Sequence, residues 1–246
     1  MFALALLLST LIGVALGLLG GGGSILTTPI LIYALGVEPK AAIATSLLVV
    51  GVTSVAAVIQ HARAGNVEWR TGLVFGGAGM VGAYAGGFVA AWIPATVLMA
   101  LFGAMMLATA LAMFRGRKDQ GPTGGPGQAL WKILAEGLVV GVVTGLVGAG
   151  GGFLVVPALA LLGGLPMKKA VGTSLLVIAL KSFAGFAGHA SHVRIDFELA
   201  ALVSAAAVLG SFAGSRIASI VPADALRRGF AVFVLAMAVF VLSQQI

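Results

Sequence analysis

The chain has 246 residues, 60% of them hydrophobic and only 9% charged, with a formal net charge of +7. A soluble domain of this size has no use for so much apolar surface, and the polar–apolar alternation of a membrane β-barrel is absent, so the fold class is an all-α polytopic membrane protein. Cysteine is absent, which excludes disulfides and thiolate metal sites, and the basic residues are spread over short loops, which points to the lipid bilayer and to membrane orientation instead of nucleic acid.

The first apolar segment, near residues 2–19, has no basic start, and its end is copied inside the chain. It therefore reads as part of the fold and not as a cleaved signal peptide. It runs into Gly17-Leu-Leu-Gly-Gly-Gly-Gly-Ser-Ile-Leu-Thr-Thr-Pro29, a glycine break that opens a short second segment near 24–36. That segment has about 12 residues, or about 18 Å as a helix, too short for an upright crossing, so it is a half-helix, a re-entrant segment or a thinned span. Three longer segments follow, near 41–60, 71–92 and 95–114.

A polar stretch rich in Gly and Pro, near Arg115–Ala129, reads as a linker, and then the pattern begins again. Gly145-Leu-Val-Gly-Ala-Gly-Gly-Gly-Phe-Leu-Val-Val-Pro157 repeats the first break 128 positions later. At the same offset Gly36 falls on Gly164, Lys40 on Lys168, Thr45-Ser46 on Thr173-Ser174, His61 on His189, Glu68 on Asp196 and Pro94 on Pro222; about half of the pairs from Gly17 to Val50 are identical. Second-half segments lie near 131–147, 152–163, 169–188, 197–219 and 223–243. The chain thus divides into a first transmembrane repeat (1–114), a cytoplasmic linker (115–130) and a second repeat (131–246), each with about five hydrophobic segments.

Charge sets the topology. If the first two segments of each half contribute no net crossing, one side carries Arg63, Arg70, Arg115, Arg117, Lys118, Lys132, Lys168, Lys169, Arg216, Arg227 and Arg228, and the other only Lys40 and Arg194. Counting those two segments as one crossing splits the charges about evenly, so the positive-inside rule favours the first arrangement. It has an odd number of crossings per half. The repeats are then inverted, both termini lie outside the cytoplasm, and the architecture is that of a transporter.

Several residues are candidates for a site. The breaks, Gly20, Gly21, Gly22, Gly23 and Ser24 in one half and Gly148, Gly150, Gly151 and Gly152 in the other, would leave helix-start N–H groups open to an anion near the membrane midplane. The alternative is close helix packing. Thr45, Ser46, Thr173 and Ser174 offer hydroxyl donors, or else bond back to their own helix. Lys181 lies near the middle of a segment, where its symmetry mate is Thr53; it faces a cavity or snorkels to an interface. His61 and His189 end matching helices, as gating groups or as interfacial anchors. Trp69, Trp92 and Trp131 sit at segment ends, as interface belts do. No carboxylate lies deep in a segment, and neither a metal-ligand spacing nor a catalytic triad is visible. The glycines lack the Lys of a phosphate-binding loop, so no cofactor is expected.

With these residues in view, Gly17 to Pro29 followed by Ala44-Thr-Ser-Leu47, and Gly145 to Pro157 followed by Gly172-Thr-Ser-Leu175, resemble the signature of the TauE/SafE sulfite exporter family. The resemblance covers almost the whole chain. It implies an inner-membrane permease of the bacterial cell for small sulfur-containing anions such as sulfite or sulfonates, with the glycine breaks and Thr-Ser pairs along the path. The expected function is a secondary transporter, an exporter working by alternating access, and not an enzyme. Its partners would be a small anionic substrate and the bilayer, and a homo-oligomer is compatible with this reading. The alternatives are a permease for another solute on the same scaffold, or a membrane enzyme or accessory subunit built on His189, His192, Asp196 and Glu198.

Overall fold

A computed structural model describes residues 2–19, 22–115, 130–147, 152–162, 164–190 and 192–244. The described residues form ten helices: α1 (Phe2–Leu19), α2 (Gly22–Pro29), α3 (Pro39–Arg63), α4 (Trp69–Ala90), α5 (Ala95–Arg115), α6 (Leu130–Val147), α7 (Gly152–Pro157), α8 (Met167–Ala190), α9 (Phe197–Ile220) and α10 (Ala223–Ser243). Six of them, α3, α4, α5, α8, α9 and α10, are long and apolar enough to cross a membrane. The segments read from the sequence are these helices, with ends moved by a few residues. The linker sequence 116–129 lies outside the described residues.

The short second segments have a defined form. α2 begins at Gly22, two residues before the start expected from the sequence, and α2 and α7 both end in a proline. Proline cannot donate the next helical hydrogen bond, and the chain continues in each case as a π-helical turn, Ile30–Ala34 and Ala158–Leu162. Both turns then stop in the same way. Val37 N donates to Leu31 O at 2.9 Å and Leu165 N to Leu159 O at 3.0 Å. The intervening Gly36 and Gly164 take φ of +69°, the left-handed conformation that glycine adopts without a Cβ penalty. Local sequence thus builds the same stop twice.

Packing exchanges the halves. α1 lies along α9 and α6 along α4, so the first helix of each half packs on the fourth helix of the other. Glycine spacing is the cause. On α1, a Cβ at Gly13 or Gly17 would collide with backbone at Ala207 or Ser211 of α9; on α9, one at Gly210 or Gly214 would collide with Thr10 or Val14. The copy of this seam sets Gly137, Gly141 and Gly145 of α6 against Phe75, Gly79 and Ala83 of α4. Small residues at intervals of four let the backbones touch, which is how membrane helices gain packing where lipid removes the hydrophobic drive.

α3 and α8, which correspond to one another in the repeat, meet in the centre and run antiparallel: Gly172 near the start of α8 faces Asn66 and His61 at the end of α3, while Gly51 faces the Phe183 ring. They are the inner helices, with 72% and 67% of their apolar windows buried, against 35–44% for the four other spans. α5 packs on its counterpart α10 through Leu98, Phe102 and Met106 against Leu226, Phe230 and Val234. The large apolar side chains left exposed on the outer helices, such as Val81, Leu209 and Val239, are the surface expected of an integral membrane protein.

Candidate functional site

The glycine breaks are only partly within view. Gly20, Gly21, Gly148, Gly150 and Gly151 lie outside the described residues. Gly22, Gly23 and Ser24 open α2, with Ser24 fully buried, and Gly152 opens α7. The two short helices that follow the breaks touch each other. The first glycine of each motif has a separate task. Gly17 and Gly145 pack against backbone of the opposite half, and their carbonyls each meet a histidine.

Those histidines are His61 and His189. His61 Nε2 lies 3.2 Å from Gly17 O, and His189 Nε2 lies 2.9 Å from Gly145 O. Both rings are buried, at 6% and 3% exposure, and each ties the end of an inner helix to the start of a break. The same bond in both halves fixes the breaks to α3 and α8.

The Thr-Ser pairs are buried on the same two helices. Ser46 Oγ donates to Ile43 O at 3.0 Å, and Ser174 Oγ to Val171 O at 2.7 Å, so both serine protons are spent on backbone one turn earlier. Ser46 Oγ also accepts from Thr28 Oγ1 at 2.9 Å, which joins α2 to α3. Thr173 Oγ1 accepts from Glu68 N at 2.9 Å and holds the α3–α4 loop over the start of α8; the Glu68–Lys169 ion pair at 3.3 Å reinforces the joint. Thr45 is buried beside them.

Among the described residues Lys181 is the one buried lysine, 1% exposed at mid-length of α8. Its stem lies along Gly79 of α4, where any side chain would collide with it. Its ammonium donates to Thr144 Oγ1 of α6 at 3.3 Å, and Thr144 donates on to Gly141 O at 3.0 Å. It does not snorkel: the lysine reaches across to the residue that precedes Gly145, at the head of the second break. An ammonium has three donors, and a threonine hydroxyl is a weak match for a buried charge. The arrangement therefore holds a buried lysine amine that bonds Thr144 and keeps further donor capacity.

Sequence reading missed Thr28 and Thr144, whose roles depend on which helix lies opposite. It aligned Lys40 with Lys168 without their shared use. Lys40 Nζ donates to Ala91 O at 2.8 Å and Lys168 Nζ to Ser219 O at 2.9 Å, so each lysine caps the carbonyl end of the fourth helix in one half. Of the enzyme cluster considered above, Asp196 serves as the N-cap of α9, accepting from Leu199 N at 3.0 Å. Among the described residues no group of acidic, histidine or cysteine side chains is arranged to hold a metal ion.

Comparison with known proteins agrees with this picture. The chain is 36% identical over 239 residues to a probable membrane transporter protein of Xylella fastidiosa, covering 94% of this chain and 91% of that one. It is 32% identical over 202 residues to the probable membrane transporter protein MJ0441 of Methanocaldococcus jannaschii, with 75% and 72% covered, and 25% identical over 228 residues to the probable membrane transporter protein YdhB of Bacillus subtilis, with 91% and 93% covered. No solved structure matches it. The model of the family described as sulfite exporter TauE/SafE matches residues 5–241. With ten helices, six of them apolar enough to span a bilayer, and a match that takes in both glycine motifs, the chain belongs to the sulfite exporter TauE/SafE family.

Proposed function

We propose that this membrane transporter is a secondary exporter of small sulfur-containing anions such as sulfite or organosulfonates, and that it works by alternating access. The observation that carries the anionic substrate is Lys181, a buried ammonium at the head of the second break whose hydrogen-bond partner is a threonine and not a carboxylate. The buried polar set among the described residues consists of hydroxyls, two histidines and this lysine, with no Asp or Glu to hold a cation. The family name and the names of the relatives support transport; sulfite or a sulfonate fits a site that offers donors and one positive charge.

In this reading residues 1–114 and 131–246 are inverted repeats joined by a cytoplasmic linker at 115–130. The protein sits in the inner membrane with both termini outside the cytoplasm. The antiparallel run of α3 and α8 and the exchanged seams α1–α9 and α6–α4 are what such repeats would give, and the 11-to-2 division of basic residues orients them. The anion would sit where α2 and α7 meet, near the backbone of Gly20 to Ser24 and of Gly148 to Gly152, with Lys181 as its counter-charge. Ser46 and Ser174 have their protons engaged by their own helices, Ser46 joins α2 to α3 through Thr28, and Thr45 and Thr173 lie buried beside them. An ion gradient, or the gradient of the anion itself, drives the cycle.

The test is flux of labelled sulfite and methanesulfonate from proteoliposomes, for the wild type and for Lys181→Met. Flux in the wild type with loss of at least about tenfold in the variant, at equal reconstitution, is expected. A wild type that is folded but moves neither anion would sink the reading, as would a Lys181→Met protein with unchanged flux.

A further inference from the structure

One end of the bundle holds a cavity of ≈ 180 Å³, enclosed by the last turns of α3 and α9 and the first turns of α8 and α10. Its polar lining includes Gln60, His61, Asn66, Lys168, Ser215 and Arg216, and no carboxylate lines it among the described residues. Two atoms of this lining, Ser215 Oγ and Gln60 Nε2, are buried without a hydrogen-bond partner. Ser215 is 8% exposed. Buried polar atoms in native proteins are nearly always paired, and two orphans in one cavity mark a place that a bound group completes. The orphans are an amide and a hydroxyl, and the cavity's charged side chains are a guanidinium and an ammonium, so the set is rich in donors and positive.

The opposite end supplies an internal control. Under the 128-residue repeat, Gln60 corresponds to Gly188, Ala64 to His192, Ser215 to Gly87, Arg216 to Phe88 and Ile220 to Trp92. There the Phe88 ring lies 4.7 Å from Trp92 and 5.3 Å from His192, and Trp92 lies 5.6 Å from His192. The backbone fold is shared, yet one end carries three rings in edge-to-face and tilted contact where the other carries a cavity and a cluster of donors. The donors are therefore no by-product of the repeat. They belong to the end that carries Arg63, Arg70, Lys168, Lys169 and Arg216, which the charge division assigns to the cytoplasm.

We propose that this cavity is a loading site, at which a small oxyanion of the sulfite or sulfonate class is captured by Arg216, Lys168, Ser215 and Gln60 before it passes to the region of Lys181. The proposal rests on the transport reading above. Lys168, already held at the rim by its bond to Ser219 O, keeps donors to spare, and Arg216 offers the fork that suits two oxygens of one anion.

The experiment is calorimetric titration of methanesulfonate and of sulfate into the purified full-length protein in detergent, with chloride at constant concentration. Saturable methanesulfonate binding is expected, weakened at least about tenfold in Arg216→Gln and measurably in Ser215→Ala, and unchanged in Gly229→Ala, which lies outside both sites. Sulfate competing with methanesulfonate would place the shared oxyanion group in the site. The absence of binding in the folded wild type would overturn the proposal, and so would Arg216→Gln and Ser215→Ala proteins that both bind as the wild type does. Binding with these sensitivities but without flux in proteoliposomes would instead defeat the transport reading alone, so the two failures are distinguishable.

Discussion

At the scale of single residues, the Lys181–Thr144 contact carries the most information. A buried ammonium with one hydroxyl acceptor is expensive, and its cost depends on that acceptor remaining. Thr144→Val should destabilise the protein by about 1–3 kcal/mol, because it strands the charge. In a Lys181→Met background the same change should cost little, since no charge is left to strand. Thermal unfolding of the four proteins in detergent checks this cycle; equal losses from Thr144→Val in both backgrounds would show that the contact is incidental. The serines teach a different lesson. Ser46 and Ser174 look like donors in sequence, yet each gives its proton to a carbonyl three residues earlier, a choice between partners that only the surrounding helices settle.

At the scale of helices, glycine does two kinds of work, and substitution separates them. Gly13 and Gly141 lie in the exchanged seams, where a methyl group would meet backbone that cannot yield. Gly77 of α4 and Gly229 of α10 have open space in front of them. Gly13→Ala and Gly141→Ala should each cost about 1–3 kcal/mol by forcing two helices apart. Gly77→Ala and Gly229→Ala should be neutral or gain up to about 1 kcal/mol from helix propensity. Melting temperatures of the four variants decide the matter, and a common response at all four positions would refute the assignment of the seams. In sequence every one of these is merely a glycine in an apolar helix. Spacing of four suggests a seam, but the identity of the partner helix is set by tertiary packing.

For the whole molecule, orientation can be tested directly, because the chain contains no cysteine. A membrane-impermeant maleimide applied to intact spheroplasts should label Glu38→Cys, in the loop before α3, and should reach Arg117→Cys in the linker only after lysis. Labelling of Arg117→Cys from outside would reverse the orientation and move the cavity beside Arg216 to the other face. The 11-to-2 charge division would then have no explanation in the positive-inside rule.

The sequence by itself determined the class, the helix boundaries to within a few residues, the doubled break and the family resemblance. These are written locally: apolar run lengths fix which segments can span lipid, proline and glycine fix where a helix must change or stop, and an offset of 128 exposes the copy. It could not determine that Lys181 bonds Thr144, 37 residues away, or that His61 bonds Gly17 across 44 residues. A lysine that snorkels and one that faces the interior have the same neighbours in sequence, and only the helix packed against each one decides between them. The tertiary structure also decided that Gly17 and Gly145 hold helices together, and that one end of the bundle keeps a cavity with unpaired donors where the matching end sets aromatic rings edge to face. Each of these depends on the register between helices distant in the chain, which no local pattern encodes.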